Sequence, residues 1–394
     1  MLVRSIQMRN FLSFGPDSDA ISLKPLNLII GPNGSGKSNL LEGIALMQSA
    51  PGQLTAPIRE GGGVRDWLWK GTDKRATASI DTIVEIFPGT TNALRYRFDF
   101  TEAGKRFEIV DERIENAKTF EGHDEPYFYY RYENKHPVLN VKTEDSEEPR
   151  RRYLRREDVD PEKSILAQRR DPDTYPEITL LAETLANIRI YRDWSLGRYT
   201  PPRLPQPADL PNQWLEENAR NLGLVLNRLR RNAETKARLL EMFKATYAEA
   251  QDFDVIIEGG TVQIFVQEDR FSVPATRLSD GTLRYLSLLA ILYDPTPPPL
   301  VCIDEPELGL HPDLINHVAD ALRFASEKTQ LIVTTHSPAL VDAFTKDPES
   351  ILVCEKENGR STVRRLVEQQ LEPWLEKYRL GALWTSGEIG GTRW

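Results

Sequence analysis

Apolar runs near the beginning of the chain predict two strands and a helix. The segments LVRSIQMRNF and AISLKPLNLII read as strands, and the second is short and rich in Leu and Ile, as a buried strand would be. Apolar residues recur at helical spacing over residues 37–47. A Gly-rich loop that starts at Gly31 separates the second strand from this helix. We therefore predict a strand, loop and helix unit.

The middle of the chain has a different pattern. Residues 76–164 contain alternating or aromatic-rich segments such as ALRYRFDF and PYFYYRYEN, which predict an antiparallel β lobe. Residues 165–275 read as a helical insertion, with helix over ITLLAETLANIRIYRDW and over residues 213–250, and a break near Asn232. The segment FDVIIEGGTVQIFVQ adds a β hairpin with Gly259 and Gly260 at its turn.

Helix and strand patterns alternate again from Leu278 to about Val367, which predicts that the two ends of the chain share one sheet. The expected fold class is α/β. We predict a discontinuous core of residues 1–75 and 276–372, a β lobe of residues 76–164, an insertion of residues 165–275 and a tail of residues 373–394.

Composition narrows the class of protein. The chain has 50 Lys and Arg against 59 Asp and Glu, and the net charge of −9 argues against a nucleic-acid coat but leaves room for a local basic groove. No apolar run approaches the roughly 18 residues that cross a bilayer, and MLVRSIQMRNFLSF lacks a signal-peptide core. Cys302 and Cys354 lie in apolar runs, where buried free thiols are expected. We predict a soluble, cytoplasmic protein with no membrane contact.

The stretch GPNGSGKS at residues 31–38 fits the phosphate-binding pattern G-x-x-x-x-G-K-[ST]. Its glycines allow consecutive backbone N–H groups to surround a β-phosphate, and the helix N-terminus adds partial positive charge. Lys37 would neutralise the β- and γ-phosphate oxygens, and Ser38 would offer its hydroxyl to Mg²⁺. The predicted nucleotide-binding residues of this stretch are Gly31, Pro32, Asn33, Gly34, Ser35, Gly36, Lys37, Ser38 and Asn39.

The stretch LVCIDEPELGLHP supplies an acidic pair. An apolar strand that ends in Asp304 would place this carboxylate at the edge of the sheet, where it holds Mg²⁺ through water. Glu305 would then polarise the attacking water as the catalytic base. An acidic pair at a strand end is also common in solvated turns, but the nearby phosphate loop favours the catalytic interpretation.

Two further stretches complete the predicted site. In RLSDGTLRYLSLLAIL, Ser279, Asp280 and Gly281 precede an apolar helix, and Ser279 is either a simple N-cap or part of an anion-binding helix start that presents N–H and hydroxyl groups to a γ-phosphate. In LIVTTHSP, His336 is either a surface residue or a catalytic residue that senses the γ-phosphate and holds the attacking water. The other histidines and the cysteines lack metal-ligand spacing, so Mg²⁺ is the metal that we predict.

In this order the stretches resemble an ABC-type ATPase. GPNGSGKSN resembles the Walker A loop, LSDGT the signature motif, VCIDEPE the Walker B motif with its glutamate, and LGLHP the D-loop, while His336 matches the switch histidine. The segments IQMRNFLSFG, DEPELGLHPDLI and TTHSPALVDAF are similar to the RecF/SMC-like branch, especially its short-armed OLD-type and AAA-type bacterial defence ATPases. The motifs lie in residues 1–47 and 278–343, and the middle is matched loosely.

This resemblance implies an ABC-type P-loop ATPase head with an antiparallel β meander and a helical insertion between the Walker A and signature motifs. Asp280 replaces the commoner Gly or Ser, while Ser279 and Gly281 stay in place. The family also has a Q-loop glutamine at the lobe junction, and Gln168 in SILAQRRDP is our candidate for this ligand of Mg²⁺ and water. ATP and Mg²⁺ are the expected cofactors, and slow or partner-regulated ATP hydrolysis is the expected reaction.

The resemblance further implies a homodimer or higher oligomer. Two subunits would bind head to tail across a two-fold axis, and Ser279 of one subunit would complete the γ-phosphate shell of the other. Two ATP molecules would hold the interface closed until hydrolysis opens it, so the assembly would act as a clamp or switch.

Two biological roles remain open. The first is an ATPase or sensor subunit that controls a separate effector in bacterial anti-phage defence. Fused OLD-type relatives carry a Toprim nuclease after the ATPase, and the residues after Val367 are too few for one. Trp374, Trp384 and Trp394 in this tail would either dock a nuclease or Toprim-like effector or pack against the chain's own surface.

The second role is a RecF-like DNA-binding ATPase in repair or recombination. Two basic runs motivate it, and they comprise Arg150, Arg151, Arg152, Arg155, Arg156, Arg228, Arg230, Arg231, Lys236 and Arg238. Such runs in an acidic protein are more often solvated faces, and DNA affinity based on them would fall steeply with salt. A membrane-transporter subunit is disfavoured by the long segment between Lys37 and Asp304, and a long-armed SMC protein by the lack of heptads.

Overall fold

The computed structural model of the protein describes residues 1–71, 76–86, 93–133, 136–143, 146–192, 194 and 197–392. In chain order the strands are β1 (Val3–Arg9), β2 (Ile21–Ser22), β3 (Leu26–Ile30), β4 (Ala78–Val84), β5 (Leu94–Ala103), β6 (Arg106–Asn116), β7 (Phe128–Glu133), β8 (His136–Thr143), β9 (Ser146–Tyr153), β10 (Arg189–Tyr191), β11 (Gln206–Pro207), β12 (Asp252–Glu258), β13 (Thr261–Gln267), β14 (Ser272–Pro274), β15 (Leu300–Asp304), β16 (Gln330–Thr334), β17 (Ile351–Glu357) and β18 (Arg360–Arg365).

The α-helices are α1 (Lys37–Ser49), α2 (Thr55–Glu60), α3 (Val64–Trp67), α4 (Ile165–Gln168), α5 (Pro176–Ala186), α6 (Leu222–Leu229), α7 (Ala233–Lys244), α8 (Asp280–Leu292), α9 (Ile315–Ser326), α10 (Pro338–Ala343), α11 (Glu368–Leu375) and α12 (Leu380–Thr385). Short 3₁₀ helices lie at Arg156–Asp158, Pro201–Arg203, Ala275–Arg277, Pro312–Leu314 and Pro348–Ser350. None of the helices in the described ranges is long and apolar enough to cross a bilayer.

A six-stranded sheet forms the core, in the order β10-β15-β16-β3-β17-β18. Neighbouring strands are parallel except β17 and β18. Because β3 lies between β16 and β17, the prediction that both ends of the chain share one sheet is confirmed. Every residue of β3 and β16 is buried, as expected for strands that are covered on both faces.

An eight-stranded antiparallel sheet packs beside this core, in the order β2-β1-β4-β5-β6-β7-β8-β9. The predicted meander is confirmed, since β4 to β9 pair consecutively. However, β1 also belongs to this sheet, because Ile6 pairs with Thr82 of β4. The predicted boundary at residue 75 therefore separates two strands that hydrogen-bond to each other.

The predicted helical insertion needs two corrections. Helix α5 ends at Ala186, and Arg189–Tyr191 forms β10, which pairs in parallel with β15; tertiary pairing here overrides the helical spacing. Helix also starts later than predicted, at Leu222 rather than near Gln213. The break at Asn232 is confirmed, since its side chain caps α7 by accepting a hydrogen bond from the Thr235 N–H at 2.9 Å.

The predicted hairpin is confirmed, because β12 and β13 pair antiparallel from Asp252 to Gln267. Gly259 and Gly260 form its turn with φ of 57° and 77°, a conformation that glycine adopts at little cost. Together with β11 and β14 this hairpin forms a four-stranded sheet.

Alternate residues of the central strands point into two apolar layers. Leu28 and Ile30 belong to one layer, which includes residues of α8 and α9, whereas Ile29 belongs to the other, which includes residues of α1 and of the antiparallel sheet. Cys302 and Cys354 lie in the second layer as free buried thiols, as predicted. The core sheet is thus covered on both faces, and loops at its edges carry the polar groups.

The predicted tail is largely part of the core. Helix α11 begins at Glu368, before the predicted boundary at residue 373, and α12 packs against α10. Leu380 and Trp384 are buried, and the Trp384 indole N–H donates to the Gly391 carbonyl at 2.9 Å. Trp374 is 43% exposed, and Trp394 lies outside the described residues.

Candidate nucleotide site

The register of the core sheet gathers the predicted motifs at one edge. Asp304 at the end of β15 pairs with Thr334 of β16, and Thr334 pairs with Ile29 of β3. Since these strands are parallel, the loops that follow them leave the sheet on the same side. Gly31 and His336 follow these strand ends within two residues. One edge therefore carries the phosphate loop, the acidic pair and the histidine.

The glycines of the phosphate loop are needed for close packing as well as for conformation. Gly31 and Gly36 have φ of 149° and 112°. A Cβ at Gly31 would lie 2.1 Å from the Cys354 carbonyl oxygen, and one at Gly36 would lie 2.2 Å from the Ser361 hydroxyl. The loop thus packs directly against β17 and β18, and the glycines permit the backbone conformation that a phosphate-binding loop needs.

Lys37 is buried and bonds to its own loop. Its Nζ donates to the carbonyl oxygens of Gly31 at 2.7 Å and Pro32 at 3.1 Å. Burial lowers the pKa of Lys37, whereas the charges of Glu305 and Asp304 act in the opposite direction. The Ser35 hydroxyl is also buried and has no hydrogen-bond partner within the described residues. A phosphate in the loop would give both groups an acceptor, so the residues present fit such a ligand.

A serine and asparagine network joins the loop to the start of the chain. The Asn39 side chain donates to the Ser13 hydroxyl at 2.6 Å, and the Ser361 hydroxyl donates to the Ser35 carbonyl and lies 2.6 Å from the Ser13 hydroxyl. A cavity of about 600 Å³ beside this network is lined by residues that include Leu12, Trp69, Lys356 and Arg360. Sequence reasoning missed Ser13 and Ser361, because isolated serines form no recognisable pattern.

The acidic pair lies at a strained turn. The Asp304 carboxylate accepts a hydrogen bond from the Thr334 hydroxyl. Glu305 has a left-handed φ of 47°, and its N–H donates to the Thr334 carbonyl at 3.1 Å. A non-glycine residue in this conformation costs about 1–2 kcal/mol, and such strain is concentrated at functional sites. Asp304 and Ser38 offer the hard oxygen ligands that Mg²⁺ prefers.

His336 faces the acidic pair. Its Nε2 lies 3.4 Å from the Glu305 carboxylate, and both side chains are partly exposed. Burial lowers the pKa of His336, and the positive charge of Lys37 lowers it further. The imidazole is therefore uncharged at neutral pH. An uncharged ring can orient a water molecule without repelling Mg²⁺.

Glu307 holds the histidine loop. Its carboxylate oxygen accepts from the Thr335 hydroxyl at 2.5 Å and from the His336 N–H at 3.0 Å. The sequence analysis did not select Glu307 as a site residue, although its position in the acidic stretch DEPE was a signal for such a role. The carboxylate links the loop after β15 to the loop after β16, so it positions His336 relative to Glu305.

The signature stretch begins helix α8. The Ser279 hydroxyl accepts from the Thr282 N–H at 3.0 Å and bonds to the Thr282 hydroxyl at 2.7 Å, as the N-cap interpretation predicts. Asp280 forms an ion pair with Arg203 and accepts from the Gly197 N–H at 3.2 Å. This pairing gives a physical reason for an aspartate at this position. A Cβ at Gly281 would lie 2.9 Å from the Gly309 carbonyl, so the helix start packs against the D-loop.

The Gln168 side chain is hydrogen-bonded within its own loop. Its side-chain oxygen accepts from the Asp160 N–H at 2.8 Å, and its amide nitrogen donates to the carbonyls of Lys163 at 2.8 Å and Asp160 at 3.2 Å. These bonds close the loop before α4 and occupy the amide. The prediction that Gln168 is a ligand of Mg²⁺ and water is therefore not supported by its contacts.

The basic runs are largely paired with acids or aromatic rings. Arg228, Arg230 and Lys236 form ion pairs with acidic side chains. Arg151 lies 3.7 Å from Glu133, and the Arg238 guanidinium stacks 4.5 Å above the Phe324 ring centroid. The side chains of Arg150 and Arg156 lie outside the described part of the chain. These contacts weaken the hypothesis of a DNA groove, because paired cations are less available to phosphates.

A parallel sheet with this phosphate loop, acidic pair, signature helix and histidine has the fold and the motif order of an ABC-type ATPase head of the SMC/OLD type. The family model described as "AAA domain, putative AbiEii toxin, Type IV TA system" matches residues 26–342. Since this match covers most of the chain, the protein belongs to that family.

Individual relatives match over shorter stretches. Old nuclease of Escherichia phage P2 is 32% identical over 134 residues, which cover 30% of this chain and 22% of the nuclease. The chromosome partition protein Smc of Mycolicibacterium paratuberculosis is 26% identical over 106 residues, which cover 27% of this chain and 9% of Smc. The chain thus spans less than a quarter of either relative.

Solved structures of SMC heads share the fold. An SMC head bound to the C-winged helix domain of ScpA has a TM-score of 0.58 at 16% identity, covering 94% of this chain and 99% of that one. An SMC head with an extended coiled coil, bound to the C-terminal domain of ScpA and derived from Pyrococcus furiosus, has a TM-score of 0.56 at 15% identity, covering 96% and 99%. At these identities the similarity concerns the fold alone, and it confirms the predicted ABC-type head.

Proposed function

We propose that the protein binds and slowly hydrolyses ATP at this sheet edge. The observation that carries the proposal is the convergence of Lys37, Asp304, Glu305 and His336 at one sheet edge, where β3, β15 and β16 end side by side and the His336 Nε2 lies 3.4 Å from the Glu305 carboxylate. Lys37 would exchange its bonds to the loop carbonyls for phosphate oxygens. Ser38 and Asp304 would hold Mg²⁺, which supplies a positive charge that neutralises the phosphates.

Glu305 is the proposed base, and His336 is its proposed partner. The Glu305 carboxylate accepts a proton from the attacking water, while the neutral imidazole of His336, 3.4 Å away, donates or accepts a hydrogen bond that orients this water. The cavity beside Ser13 and Asn39 is proposed to receive the nucleoside, since it adjoins the loop and is lined in part by Trp69 and Leu12.

We further propose that two subunits enclose two ATP molecules, and that Ser279 of each subunit completes the γ-phosphate shell of its partner. In support, a capped helix start with a nearby hydroxyl is an anion-binding device, and the resemblance of LSDGT to the ABC signature motif implies this role. Two-fold symmetry then makes the interface self-complementary. ATP would act as the contact that closes this dimer, and hydrolysis would release it.

The test uses the Glu305→Gln variant, which keeps the shape of the side chain and removes the base. In sedimentation with ATP and Mg²⁺ it is expected to form a stable dimer. The same variant without nucleotide, and Lys37→Ala with nucleotide, are expected to keep the oligomeric state of the nucleotide-free protein. Turnover by Glu305→Gln should fall by about 10² to 10⁴-fold. Normal hydrolysis would refute the catalytic assignment, and monomers alone would refute the dimer.

The proposed biological role is an ATPase or sensor subunit that controls a separate effector in bacterial defence. The family description names a toxin of a toxin–antitoxin system, one relative is a phage nuclease, and the similar SMC heads are bound to ScpA. Trp374 and Tyr378 offer an exposed aromatic surface on and after α11, with ring centroids 6.5 Å apart. We propose this surface as the docking site of a nuclease or Toprim-like effector.

Deleting residues 380–394 is unsuitable as a test, because Leu380, Leu383 and Trp384 are buried in the core. The paired substitution Trp374→Ala and Tyr378→Ala is sharper. It should abolish copurification with the product of a neighbouring effector gene while the midpoint of thermal unfolding stays unchanged. Phe271→Ala removes a ring elsewhere that is 61% exposed and serves as the control. Retained binding by the double variant would exclude this surface.

The alternative role is DNA binding of the RecF type, and the exposed Arg155 is a described basic residue that could contribute to it. Affinity for duplex DNA in the presence of ATP, measured across a salt titration, separates the two roles. A steep fall in affinity with salt would favour the alternative, since phosphate contacts release counterions.

A further inference from the structure

The main-chain carbonyls of the catalytic pair are held by two side chains from other elements. Asp304 is the last residue of β15, and Glu305 follows it outside the strand. The Trp194 indole N–H donates to the Asp304 carbonyl at 3.3 Å, and the Arg284 Nη2 donates to the Glu305 carbonyl at 2.6 Å. The strained turn at Glu305 is therefore fastened from outside the sheet.

Arg284 and Trp194 act as one unit. The Arg284 guanidinium carbon lies 4.7 Å from the centroid of the Trp194 ring, within the range of a cation–π contact. Only 1% of Arg284 is exposed, and burial lowers the pKa of its guanidinium to about 10. The side chain still carries its charge at neutral pH, and Glu305 and Glu307 supply nearby negative charge.

Packing alone does not explain the burial of Arg284. Its Nε and Nη1 are buried and have no hydrogen-bond partner among the residues that the structure describes. Burying an arginine with unpaired donors destabilises the fold. A functional role of Arg284 would explain why this cost is tolerated. Arg284 also lies on α8, the helix that Ser279 caps. Gly197 and Arg203, which come after Trp194 in the sequence, bond to Asp280 at the start of the same helix.

We propose that Arg284, assisted by Trp194, is a positioning residue that ties the signature helix to the backbone of the catalytic glutamate in the same subunit. Arg284 does not touch the reacting atoms. It fixes the turn at Glu305, and thereby the direction of the Glu305 carboxylate toward the attacking water. A displacement of the carboxylate by about 1 Å is enough to reduce turnover by roughly 10²-fold, which makes such a tie effective. This inference rests on the proposed role of Glu305 as the base.

The first variant is Arg284→Lys, which keeps the positive charge but cannot reproduce the planar contact. We expect kcat for phosphate release to fall by about 10-fold or more, while the Kd for a fluorescent ATP analogue changes by less than about twofold, because Lys37 and its loop are untouched. The second variant is Trp194→Phe, which retains a stacking ring and loses the indole N–H. Its kcat should fall by about threefold, the smaller loss that removal of one neutral hydrogen bond implies.

Arg323→Lys is the matched control. Arg323 also stacks on an aromatic ring, with its guanidinium carbon 4.5 Å from the Phe344 centroid, and it also donates to a backbone carbonyl, that of Ala343. It lies on α9 and makes no contact with the catalytic pair in these interactions. Its kcat is expected to stay within about twofold of the parent, in keeping with a partly exposed surface arginine.

A double-mutant cycle separates positioning from a general loss of structure. If Arg284 acts through Glu305, then adding Arg284→Lys to Glu305→Gln should change single-turnover hydrolysis by less than about twofold, because the group that it positions is already gone. Losses that multiply in the double variant, or an unchanged kcat in both Arg284→Lys and Trp194→Phe, would overturn the inference. Normal hydrolysis by Glu305→Gln alone would instead refute the proposed function.

Discussion

Two clusters of buried polar side chains, one around Glu112 and one at the carboxyl edge of the core sheet, are hydrogen-bonded in opposite ways. In the antiparallel sheet, the Glu112 carboxylate accepts from the Ser164 hydroxyl at 2.5 Å, the Ile165 N–H at 2.9 Å and the Tyr96 hydroxyl at 3.0 Å. At the carboxyl edge of the core sheet, by contrast, the Ser35 hydroxyl and two Arg284 nitrogens lack partners within the described ranges. One network is satisfied, whereas the other leaves donors open.

The comparison indicates what each region is for. Burying an unpaired polar group costs about 1–3 kcal/mol, so a satisfied network stabilises a fold while open donors are best explained by a ligand or by catalysis. Glu112 caps the start of α4 through the backbone of Ile165 and fastens it to β6. At the sheet edge, by contrast, the Ser35 hydroxyl of the phosphate loop lacks a hydrogen-bond partner among the described residues. Substitutions at the two regions should therefore affect different observables.

The largest expected effect is that of Lys37→Ala on the open region. The variant loses the buried ammonium that would meet the β- and γ-phosphates, and its affinity for ATP should fall by about 100-fold or more, which corresponds to about 2.7 kcal/mol. The midpoint of unfolding without nucleotide should change little. Isothermal titration with ATP and Mg²⁺ measures the first quantity, and equal affinity in the variant would remove Lys37 from the site.

The second prediction compares the removal of one serine hydroxyl from each region. Ser164→Ala removes the N-cap of α4 and a hydrogen bond to Glu112, so the free energy of unfolding should fall by about 1–3 kcal/mol. Ser35→Ala removes a hydroxyl that has no partner inside the described chain, so it should cost less than about 0.5 kcal/mol and weaken ATP binding instead. Denaturant titration with and without ATP measures both. Equal losses would erase the distinction between the regions.

The third prediction concerns pH. Burial raises the pKa of Glu112 from 4.5 to about 7, although its hydrogen bonds act in the opposite direction. Between these two values the folded state holds a proton that the unfolded state has released, so the free energy of unfolding falls as pH rises from 4.5 to about 7. We expect a decrease of about 1–3 kcal/mol.

Glu112→Gln is the matched control for this pH dependence. The amide oxygen still accepts from the Ile165 N–H, and the amide nitrogen donates to a hydroxyl oxygen, so the variant should fold. Its stability should not show the decrease between pH 4.5 and about 7 that is assigned to Glu112. A slope that is the same in both proteins would assign the titration to another group.

The smallest expected effect is that of His336→Asn on the open region. Asparagine keeps a polar side chain at the edge but cannot reproduce the ring nitrogen that lies 3.4 Å from Glu305. Turnover should fall by about 10-fold or less, with ATP affinity preserved, because orienting a water contributes less than supplying the base. A loss as large as that of Glu305→Gln would make His336 the base instead.

Much of the site could be predicted from local patterns. The strand, Gly-rich loop and helix at residues 26–49, and the strand that ends in Asp304, each lie within a short stretch whose geometry follows from its own residues. The meander and the hairpin were predictable for the same reason, since alternation and glycine turns are local signals. The short strand β10 was not predictable, because Arg189–Tyr191 becomes a strand only by pairing with β15.

By itself, the sequence determined the phosphate loop, the acidic pair, the signature serine and the histidine, because backbone conformation and side-chain type specify these features within a few residues. Only the tertiary structure decided that Gln168 closes its own loop, that Glu307 holds His336, and that Arg284 and Trp194 reach the catalytic turn. Such contacts join residues that are far apart in sequence or use them in ways that no motif specifies. They exist only where folding brings a donor within about 3 Å of an acceptor.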